Sequence, residues 1–371
     1  MAEHPNVTIE ITVLENEAFK AKITTNMQAG DPPDLFQSWG GGGLLEQVNA
    51  GLVADVTDDV APWIDTLNPA AVGMYQVDGQ QYGVPFDLGM VGIWYNEELF
   101  AEAGIDEPPA TWDELLAAVE DLKAAGTTPI AVGEGDKWPG MFWWAYLALR
   151  ICGSEPLQQA AQDPTAFENP CFVQAGEELQ RLVEMEPFQE GFLATPWEGA
   201  TGEAALIANG RAAMDLMGQW APGTQQANAE NGEGLGEALG WFPFPAVEGG
   251  AGAPTDAFGG GNGFAVGRDA PLPETADFLR YLTDVDVATQ FGESNTGILP
   301  VMEGTDGSVT DPNLASLLEG RAQATYVQLY LDQAYPPAVG AAVNDAVQTL
   351  FAGTGTPEEV AQAIADAARA G

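Results

Sequence analysis

The hydrophobic and polar positions at the start of the chain predict alternating strands and helices. Residues 7–13 alternate β-branched and polar side chains, which is the period-two pattern of a strand. Residues 17–28 form a helical pattern that ends at Gly30, residues 34–38 predict a second strand, and residues 44–50 predict a second helix. The order strand, helix, strand, helix indicates an α/β architecture.

The alternation continues through the rest of the chain. A Thr111-x-x-Glu114 capping box predicts the start of a helix that runs to Ala125, and Thr356 followed by Pro357 predicts the start of the last helix. Further strands are predicted at residues 82–85, 90–95, 129–132, 212–217, 240–244 and 262–266, and further helices at residues 97–103, 141–151 and 173–185.

Length and hydrophobic content change this picture in two ways. The chain has 371 residues, which is more than one ordinary core accommodates, so two lobes are expected. Hydrophobic residues make up 46% of it, which is enough for packed cores, yet no run of about 18 apolar residues predicts a membrane span. The N-terminus has neither the basic nor the apolar region of a signal peptide, so we expect no such signal in this chain.

The charge balance excludes one class of partner. The chain has 55 acidic and 11 basic residues, for a formal net charge of -44. A surface with so few cations repels phosphate backbones, so no nucleic-acid partner is expected. Two interpretations of the acidity stay open: an ordinary solvated surface, or adaptation to high salt in a halophilic source, which the presence of only four lysines favours.

Most enzyme classes are disfavoured by the residues that are present. His4 is the only histidine and lies at the terminus, so His-based triads and His-rich metal sites are excluded. No phosphate-binding loop occurs, and no glycine-rich stretch completes a dinucleotide-binding motif. A glycosidase needs only two carboxylates, for which Asp87 and Glu17 are the best candidates. No cofactor is expected.

Five segments taken in order resemble a known family. They are Gly30-Asp31-Pro32-Pro33-Asp34-Leu35-Phe36 with Trp39, Tyr82-Gly83-Val84-Pro85-Phe86-Asp87 with Trp94-Tyr95-Asn96, Pro109-Ala110-Thr111-Trp112-Asp113-Glu114-Leu115, Gly135-Asp136-Lys137-Trp138-Pro139, and Gly210-Arg211-Ala212-Ala213-Met214 with Gln219-Trp220. These segments together resemble the extracellular solute-binding proteins of bacterial carbohydrate ABC importers (family 1), the receptors for maltose and xylo-oligosaccharides.

The resemblance implies a periplasmic-binding-protein-like fold. Two α/β lobes would be joined by a hinge, with the ligand in the cleft between them. We expect residues 1–87 and 262–298 in the N-terminal lobe and residues 88–261 and 299–371 in the C-terminal lobe. Members of the family usually begin with a signal peptide and a strand–helix unit that precede the segment corresponding to His4, so this chain is expected to lack that unit.

Aromatic residues are the first part of the expected binding site, because aromatic faces stack on the C–H faces of pyranose rings. Trp39 stands at the end of a predicted strand beside glycines, and Trp138 and Trp220 lie in segments that the resemblance places at the cleft. Trp197 is a further candidate, and Phe86 belongs to the second family segment. Trp94 and Trp112 are interpreted as core residues.

Polar residues are the second part of the expected site. Asp87, Lys137, Gln219 and Asn262 are the candidates for hydrogen bonds to sugar hydroxyls. Each has a plainer alternative: Asp87 as a turn acid and Lys137 as a surface lysine. Glu17 follows the first predicted strand, where related proteins place a ligand contact, but an acid at the start of a helix also satisfies the helix dipole.

The two cysteines, Cys152 and Cys171, are 19 positions apart. They are either buried free thiols or, in an exported protein, a disulfide, which we favour because the Asn169-Pro170-Cys171 segment indicates a loop end.

The resemblance also implies a function. The segments Trp39-Gly40-Gly41-Gly42 and Asp136-Lys137-Trp138-Pro139 are most similar to receptors for short β-linked oligosaccharides of the xylo-oligosaccharide type. A receptor for a polyamine or a peptide is the alternative, and a retaining or inverting glycosidase is the enzyme alternative. The implied partners are an oligosaccharide and the transmembrane permease subunits of an ABC transporter, with the receptor as a monomer. It would be extracytoplasmic, as a surface lipoprotein or in the periplasm.

Overall fold

The computed structural model describes residues 7–160, 163–294 and 296–370, and His4 lies outside these ranges. The strands of the described residues are β1 (Leu35–Ser38), β2 (Gln76–Val77), β3 (Gln80–Gln81), β4 (Gly83–Pro85), β5 (Gly89–Met90), β6 (Gly92–Asn96), β7 (Met214–Met217), β8 (Leu239–Phe242), β9 (Ala257–Gly260), β10 (Gly263–Val266) and β11 (Val327–Leu329).

The helices of the same residues are α1 (Asn16–Ala29), α2 (Gly41–Asn49), α3 (Thr57–Val60), α4 (Pro69–Gly73), α5 (Glu97–Glu102), α6 (Trp112–Ala124), α7 (Trp138–Cys152), α8 (Ser154–Ala160), α9 (Pro170–Glu184), α10 (Glu203–Ala208), α11 (Ala221–Ala227), α12 (Leu272–Leu282), α13 (Val285–Glu293), α14 (Pro312–Gln323), α15 (Leu331–Ala334), α16 (Pro337–Phe351) and α17 (Pro357–Ala370).

The predicted helix starts are confirmed where a capping box defines them. Thr111 Oγ1 accepts a hydrogen bond from the backbone nitrogen of Glu114 at 3.3 Å, and the Glu114 carboxylate accepts one from the backbone nitrogen of Thr111 at 3.1 Å. Thr356 and Glu359 make the same reciprocal pair at the start of α17. These side chains satisfy backbone donors that have no partner within the helix.

Two predicted strands are wrong. Residues 7–13 have no strand, and a period-two pattern forms one only when a neighbouring strand supplies hydrogen bonds; none pairs with them among the described residues. Residues 129–132 also form no strand, because only Ile130 makes isolated bridges, to Phe188 and Met214. The apolar run 129–132 is nevertheless largely buried, which is why its composition resembles that of a strand.

The described chain divides into two compact units. Unit 1 contains residues 1–87, 261–289 and 300–305, and unit 2 contains residues 88–260, 290–299 and 306–371. Residues 290–298 were expected in the first lobe but group with unit 2, and residues 261 and 300–305 were expected in the second lobe but group with unit 1. The reason for the first difference is local packing: Gly223 approaches Thr296 closely, and Leu88 donates a hydrogen bond to the carbonyl of Leu299.

Unit 1 has a small antiparallel sheet with β10 in the centre, between β1 and β4. Its core contains Phe36 from β1, Leu44 from α2 and Ala265 from β10, closed by Tyr75. The Tyr75 hydroxyl donates to the Ser38 carbonyl at 2.6 Å, so the end of β1 is fixed to the segment before β2.

Unit 2 is larger and contains two three-stranded sheets. In one, β6 pairs antiparallel with both β7 and β8; in the other, β9 pairs parallel with β11 and antiparallel with β5. Helix α7 is buried along nearly its whole length and packs against α9 and α16. The buried guanidinium of Arg150 in α7 donates to the carbonyls of Phe244 and Asp256, which holds the segment after β8 against the helix. Both units combine helices with sheets, which makes this an α/β protein.

Candidate functional site

Three of the predicted tryptophans meet in unit 2. The ring of Trp138 lies 5.8 Å from that of Trp197 and 6.4 Å from that of Trp220, with both pairs edge to face. Edge-to-face contacts are a favourable arrangement of aromatic rings because the positive edge of one faces the negative face of the other. We call Trp138, Trp197 and Trp220 the tryptophan cluster.

Two members of the tryptophan cluster stand at helix starts, and the third lies in a loop. Trp138 is the first residue of α7, and Trp197 lies in the loop before α10. Trp220 is the N-cap of α11, shortly after β7, and its ring lies over Gly218, where a Cβ would be 2.2 Å from the indole. Trp138 and Trp197 are buried, while Trp220 is half-buried and keeps part of its ring open.

Tyr330, at the end of β11, joins the tryptophan cluster and was missed by sequence reasoning. Its ring lies 6.0 Å from Trp220, edge to face, and stacks on Phe142 with ring centres 5.4 Å apart. The only sequence signal for this residue is a tyrosine after a short apolar run, which does not reveal a contact between residues 110 positions apart.

Two predicted polar residues of unit 2 lie beside the tryptophan cluster in the chain. The Gln219 side chain is fully buried and packs over Gly89, where any Cβ would collide with it. Lys137 precedes Trp138 and pairs through Nζ with the Asp345 carboxylate at 2.6 Å; both side chains are partly exposed. The ion pair with Asp345 therefore favours the plainer interpretation of Lys137 as a surface lysine.

Buried carboxyl groups lie in the same part of unit 2. Burial raises the pKa of Asp215, on β7, to about 8. Burial, followed by the negative charge of Asp215, raises the pKa of Glu203 well above its usual range. Burial also raises the pKa of Glu134, which precedes α7. Burial disfavours the charged form of all three groups, and Asp215, with its pKa of about 8, holds its proton near neutral pH.

Trp39 and Glu17 of unit 1 are connected through Lys20. The Lys20 ammonium lies 5.9 Å from the centre of the Trp39 ring and pairs with Glu17 at 2.9 Å. Phe19 packs against the same ring edge to face at 5.8 Å. Because Glu17 lies in the first turn of α1 and its carboxylate holds Lys20, the geometry favours its interpretation as a helix-start acid.

Asp87 and Asn262 of unit 1 bind each other. The Asn262 amide nitrogen donates to both carboxylate oxygens of Asp87 at 3.1 Å, and the Asn262 backbone nitrogen donates to the same group. Gln37 donates to the Asn262 amide oxygen at 2.8 Å, so both sides of that amide are occupied. Phe86, the neighbour of Asp87, packs against Phe264 at 5.6 Å. This arrangement fixes β4 and β10 to each other.

Cys152 and Cys171 are joined by a disulfide, with their Cα atoms 5.2 Å apart. The bond links the end of α7 to the start of α9.

The described residues contain no group of three or more His, Cys, Asp or Glu side chains that could hold a metal ion. Within the same residues, no helix has the length and apolar character needed to span a bilayer.

With this fold and this aromatic site, the chain belongs to the family of bacterial extracellular solute-binding proteins, which it matches over residues 1–289. Among curated relatives, it is 26% identical over 297 residues to a multiple sugar-binding protein of Streptococcus mutans, covering 76% of this chain and 65% of that protein. The chain spans 50% and 65% of the length of two such relatives.

Solved structures show the same fold. A structure described in work on xylan utilization by the thermophilic bacterium Caldanaerobius polysaccharolyticus is 29% identical, with a TM-score of 0.87 and coverage of 98% of this chain and 93% of that one. A chitin oligosaccharide binding protein is 25% identical, with a TM-score of 0.86 and coverage of 100% and 91%. The expected periplasmic-binding-protein-like fold is confirmed.

Proposed function

We propose that this protein is the receptor of an ABC importer and captures a short oligosaccharide, which it releases unchanged. The observation that carries the proposal is the tryptophan cluster, which brings together indole rings from the start of α7, the loop before α10 and the start of α11. Binding sites of this kind combine apolar, aromatic walls with a few placed polar groups. Family membership supports capture of a solute rather than its chemical conversion.

The proposed ligand class is a β-linked oligosaccharide, with xylo-oligosaccharides as the first choice. Two of the similar structures support this, since one is described in work on xylan and the other is a chitin oligosaccharide binding protein. Xylan and chitin are both β-linked polymers, whose extended chains present flat faces to aromatic rings. Trp39 of unit 1 is the proposed aromatic contact outside the tryptophan cluster, and the permease subunits of an ABC transporter are the proposed partner.

The disulfide supports an extracytoplasmic location. Disulfides persist in oxidising compartments and are rare in reducing ones, and here one joins Cys152 to Cys171. We propose surface anchoring or the periplasm as the particular location, and a monomer as the functional state.

Intrinsic tryptophan fluorescence and calorimetry test the proposal. The protein is titrated with xylobiose, xylotriose, cellobiose, diacetylchitobiose, maltose and spermidine, and the sugars are recovered and analysed after a long incubation. Saturable binding of a β-linked sugar at micromolar concentration, about −8 kcal/mol, with the sugar recovered intact is the expected result. Binding of spermidine alone would instead identify a polyamine receptor, and cleaved sugar would identify a glycosidase.

A pair of tryptophan variants separates binding from folding. Trp220→Ala removes a half-buried ring of the tryptophan cluster and should weaken sugar binding at least about tenfold with a cooperative melt retained. Trp112→Phe is the matched control, because Trp112 is buried against Phe244 and donates to Glu178 in the core. It should lower the melting temperature and leave the affinity unchanged. Equal affinity of Trp220→Ala and the unaltered protein would remove the tryptophan cluster from the proposed site.

A further inference from the structure

The two loops that carry Trp138 and Trp197 are held together by hydrogen bonds. The backbone nitrogen of Gly135 donates to the carbonyl of Thr195 at 2.9 Å. The backbone nitrogen of Gly133 donates to the buried carboxyl group of Glu203, at the start of α10. The loop before α7 and the segment that leads into α10 therefore form one hydrogen-bonded layer.

Asp136 is the residue of this layer that contacts both tryptophans. One of its carboxylate oxygens accepts a hydrogen bond from the backbone nitrogen of Trp197 at 2.7 Å. Its carbonyl oxygen accepts one from the backbone nitrogen of Trp138 at 2.8 Å. A charged acceptor makes a stronger bond than a neutral one, so the carboxylate fixes the Trp197 backbone firmly.

The backbone of Lys137, next to Asp136, has a strained conformation. Lys137 has φ of 68° and ψ of -40°, which is a tight three-residue turn closed by the bond from Trp138 to the Asp136 carbonyl. A residue with a Cβ atom keeps this backbone conformation only when its surroundings hold it there. The pairing of Lys137 with Asp345 and the bond between Asp136 and Trp197 supply that hold.

We propose that Asp136 is a positioning residue for sugar binding, which sets the position of Trp197 against Trp138 and acts through Trp197 rather than on the ligand itself. The proposal rests on the proposed function, since it assigns a role within the same site. Without the carboxylate, the backbone nitrogen of Trp197 loses its acceptor and the loop before α10 is free to shift. The indole of Trp197 then no longer meets Trp138 at its 5.8 Å separation.

The first test compares Asp136→Ala with Asp136→Asn. An asparagine side-chain oxygen accepts the same hydrogen bond, whereas alanine accepts none. Asp136→Ala should raise the Kd for the preferred sugar about tenfold, and Asp136→Asn should restore it to within about threefold of the original. Asp113→Ala is the matched control: it removes an exposed carboxylate of unit 2 that pairs with Arg181, and it should leave the Kd unchanged.

The second test asks whether Asp136 acts through Trp197. In a Trp197→Ala background, Asp136→Ala should change the Kd by less than about twofold, because the ring to be positioned is already absent. A full tenfold loss in that background would show that Asp136 contacts the sugar directly, and the positioning role would be wrong. An Asp136→Ala variant with the original Kd would overturn it as well.

Circular dichroism keeps this test independent of sugar binding. Adjacent indoles couple and give an exciton signal that depends on their separation and angle, so Asp136→Ala should change that signal in the free protein and Asp136→Asn should largely retain it. If no sugar binds the unaltered protein, the proposed function fails while the spectra still report whether Asp136 sets the tryptophan geometry. An unchanged spectrum in Asp136→Ala would contradict that role.

Discussion

Asp215 and Glu203 place two carboxyl groups in the interior of unit 2, and both are fully buried. Asp215 has a pKa of about 8 in the folded protein, against 3.8 for an ordinary aspartate. The folded state thus holds a proton that the unfolded state releases near pH 4. The stability contributed by that proton is fully present below pH 4 and is lost as the pH rises towards about 8.

We expect the free energy of unfolding to fall between pH 5 and pH 8, and Asp215→Asn to reduce the fall by up to about 4 kcal/mol, because a neutral amide needs no proton to remain buried. Urea unfolding at both pH values measures this. The strong net charge also weakens the fold as the pH rises, so the difference between the two proteins is the informative quantity. Asp113→Asn, at an exposed position, should show the same pH dependence as the unaltered protein.

At the residue scale, the sequence predicted the aromatic members of the site better than the other residues of unit 2. Polar neighbours and the family resemblance led to Trp138 and Trp220, with Trp197 as a further candidate, and the structure brings all three together. Tyr330 could not be found in this way, because its place depends on the pairing of β11 with β9 far along the chain. The burial of Glu203 and Asp215 was not predicted, because acidic side chains are ordinarily exposed and only tertiary packing encloses these two.

At the scale of elements, helices were more predictable than strands for a physical reason. A helix satisfies its hydrogen bonds within one segment, so the capping pair Thr111 and Glu114 fixes its start from local sequence. A strand needs a partner, and the pattern of residues 7–13 does not supply one. The strands β9 and β11 were missed because each is only three or four residues long and pairs with distant residues.

Substitutions in residues 7–14 test directly whether this segment forms a strand. Ile11 is 79% exposed and Val13 is 85% exposed, so neither contributes to a core. Ile11→Thr and Val13→Thr should each change the free energy of unfolding by less than about 0.5 kcal/mol in urea titrations. Val84→Thr in the buried strand β4 is the positive control and should cost more than about 1 kcal/mol. A comparable loss for the two exposed positions would mean that the segment packs as a strand in solution.

The disulfide between α7 and α9 should contribute to stability through the unfolded chain. It closes a loop across a sequence separation of 19, which restricts the unfolded ensemble. The Cys152→Ser, Cys171→Ser double variant should lose about 3 kcal/mol of unfolding free energy. A reducing agent should lower the unfolding midpoint of the unaltered protein to a similar extent and leave the double variant unaffected. Equal stability with and without the bond would show that the contact between α7 and α9 already holds this region.

At the scale of the whole molecule, acidic residues greatly outnumber basic ones. The protein has 55 acidic residues and only 11 basic ones. Among the residues that the structure describes, ion pairs with acids are made by Lys20, Lys137, Arg181, Arg211, Arg268, Arg321 and Arg369. Because pairing can neutralise at most a fifth of the acids, most of the surface repels itself, and this repulsion opposes the folded state more than the extended unfolded one.

Salt should therefore stabilise this protein far more than it stabilises a protein of ordinary charge. The screening length falls from about 10 Å at 0.1 M salt to about 3 Å at 1 M, so repulsion between separate surface carboxylates largely disappears while the cores stay unchanged. We expect the melting temperature to rise by at least about 5 °C between 0.05 M and 2 M potassium chloride. Sucrose at matched osmolality controls for a general effect of excluded solutes. A melting temperature that stays constant in salt would mean that the acidity is an ordinary solvated surface, whereas a rise in salt but not in sucrose would support adaptation to a saline habitat.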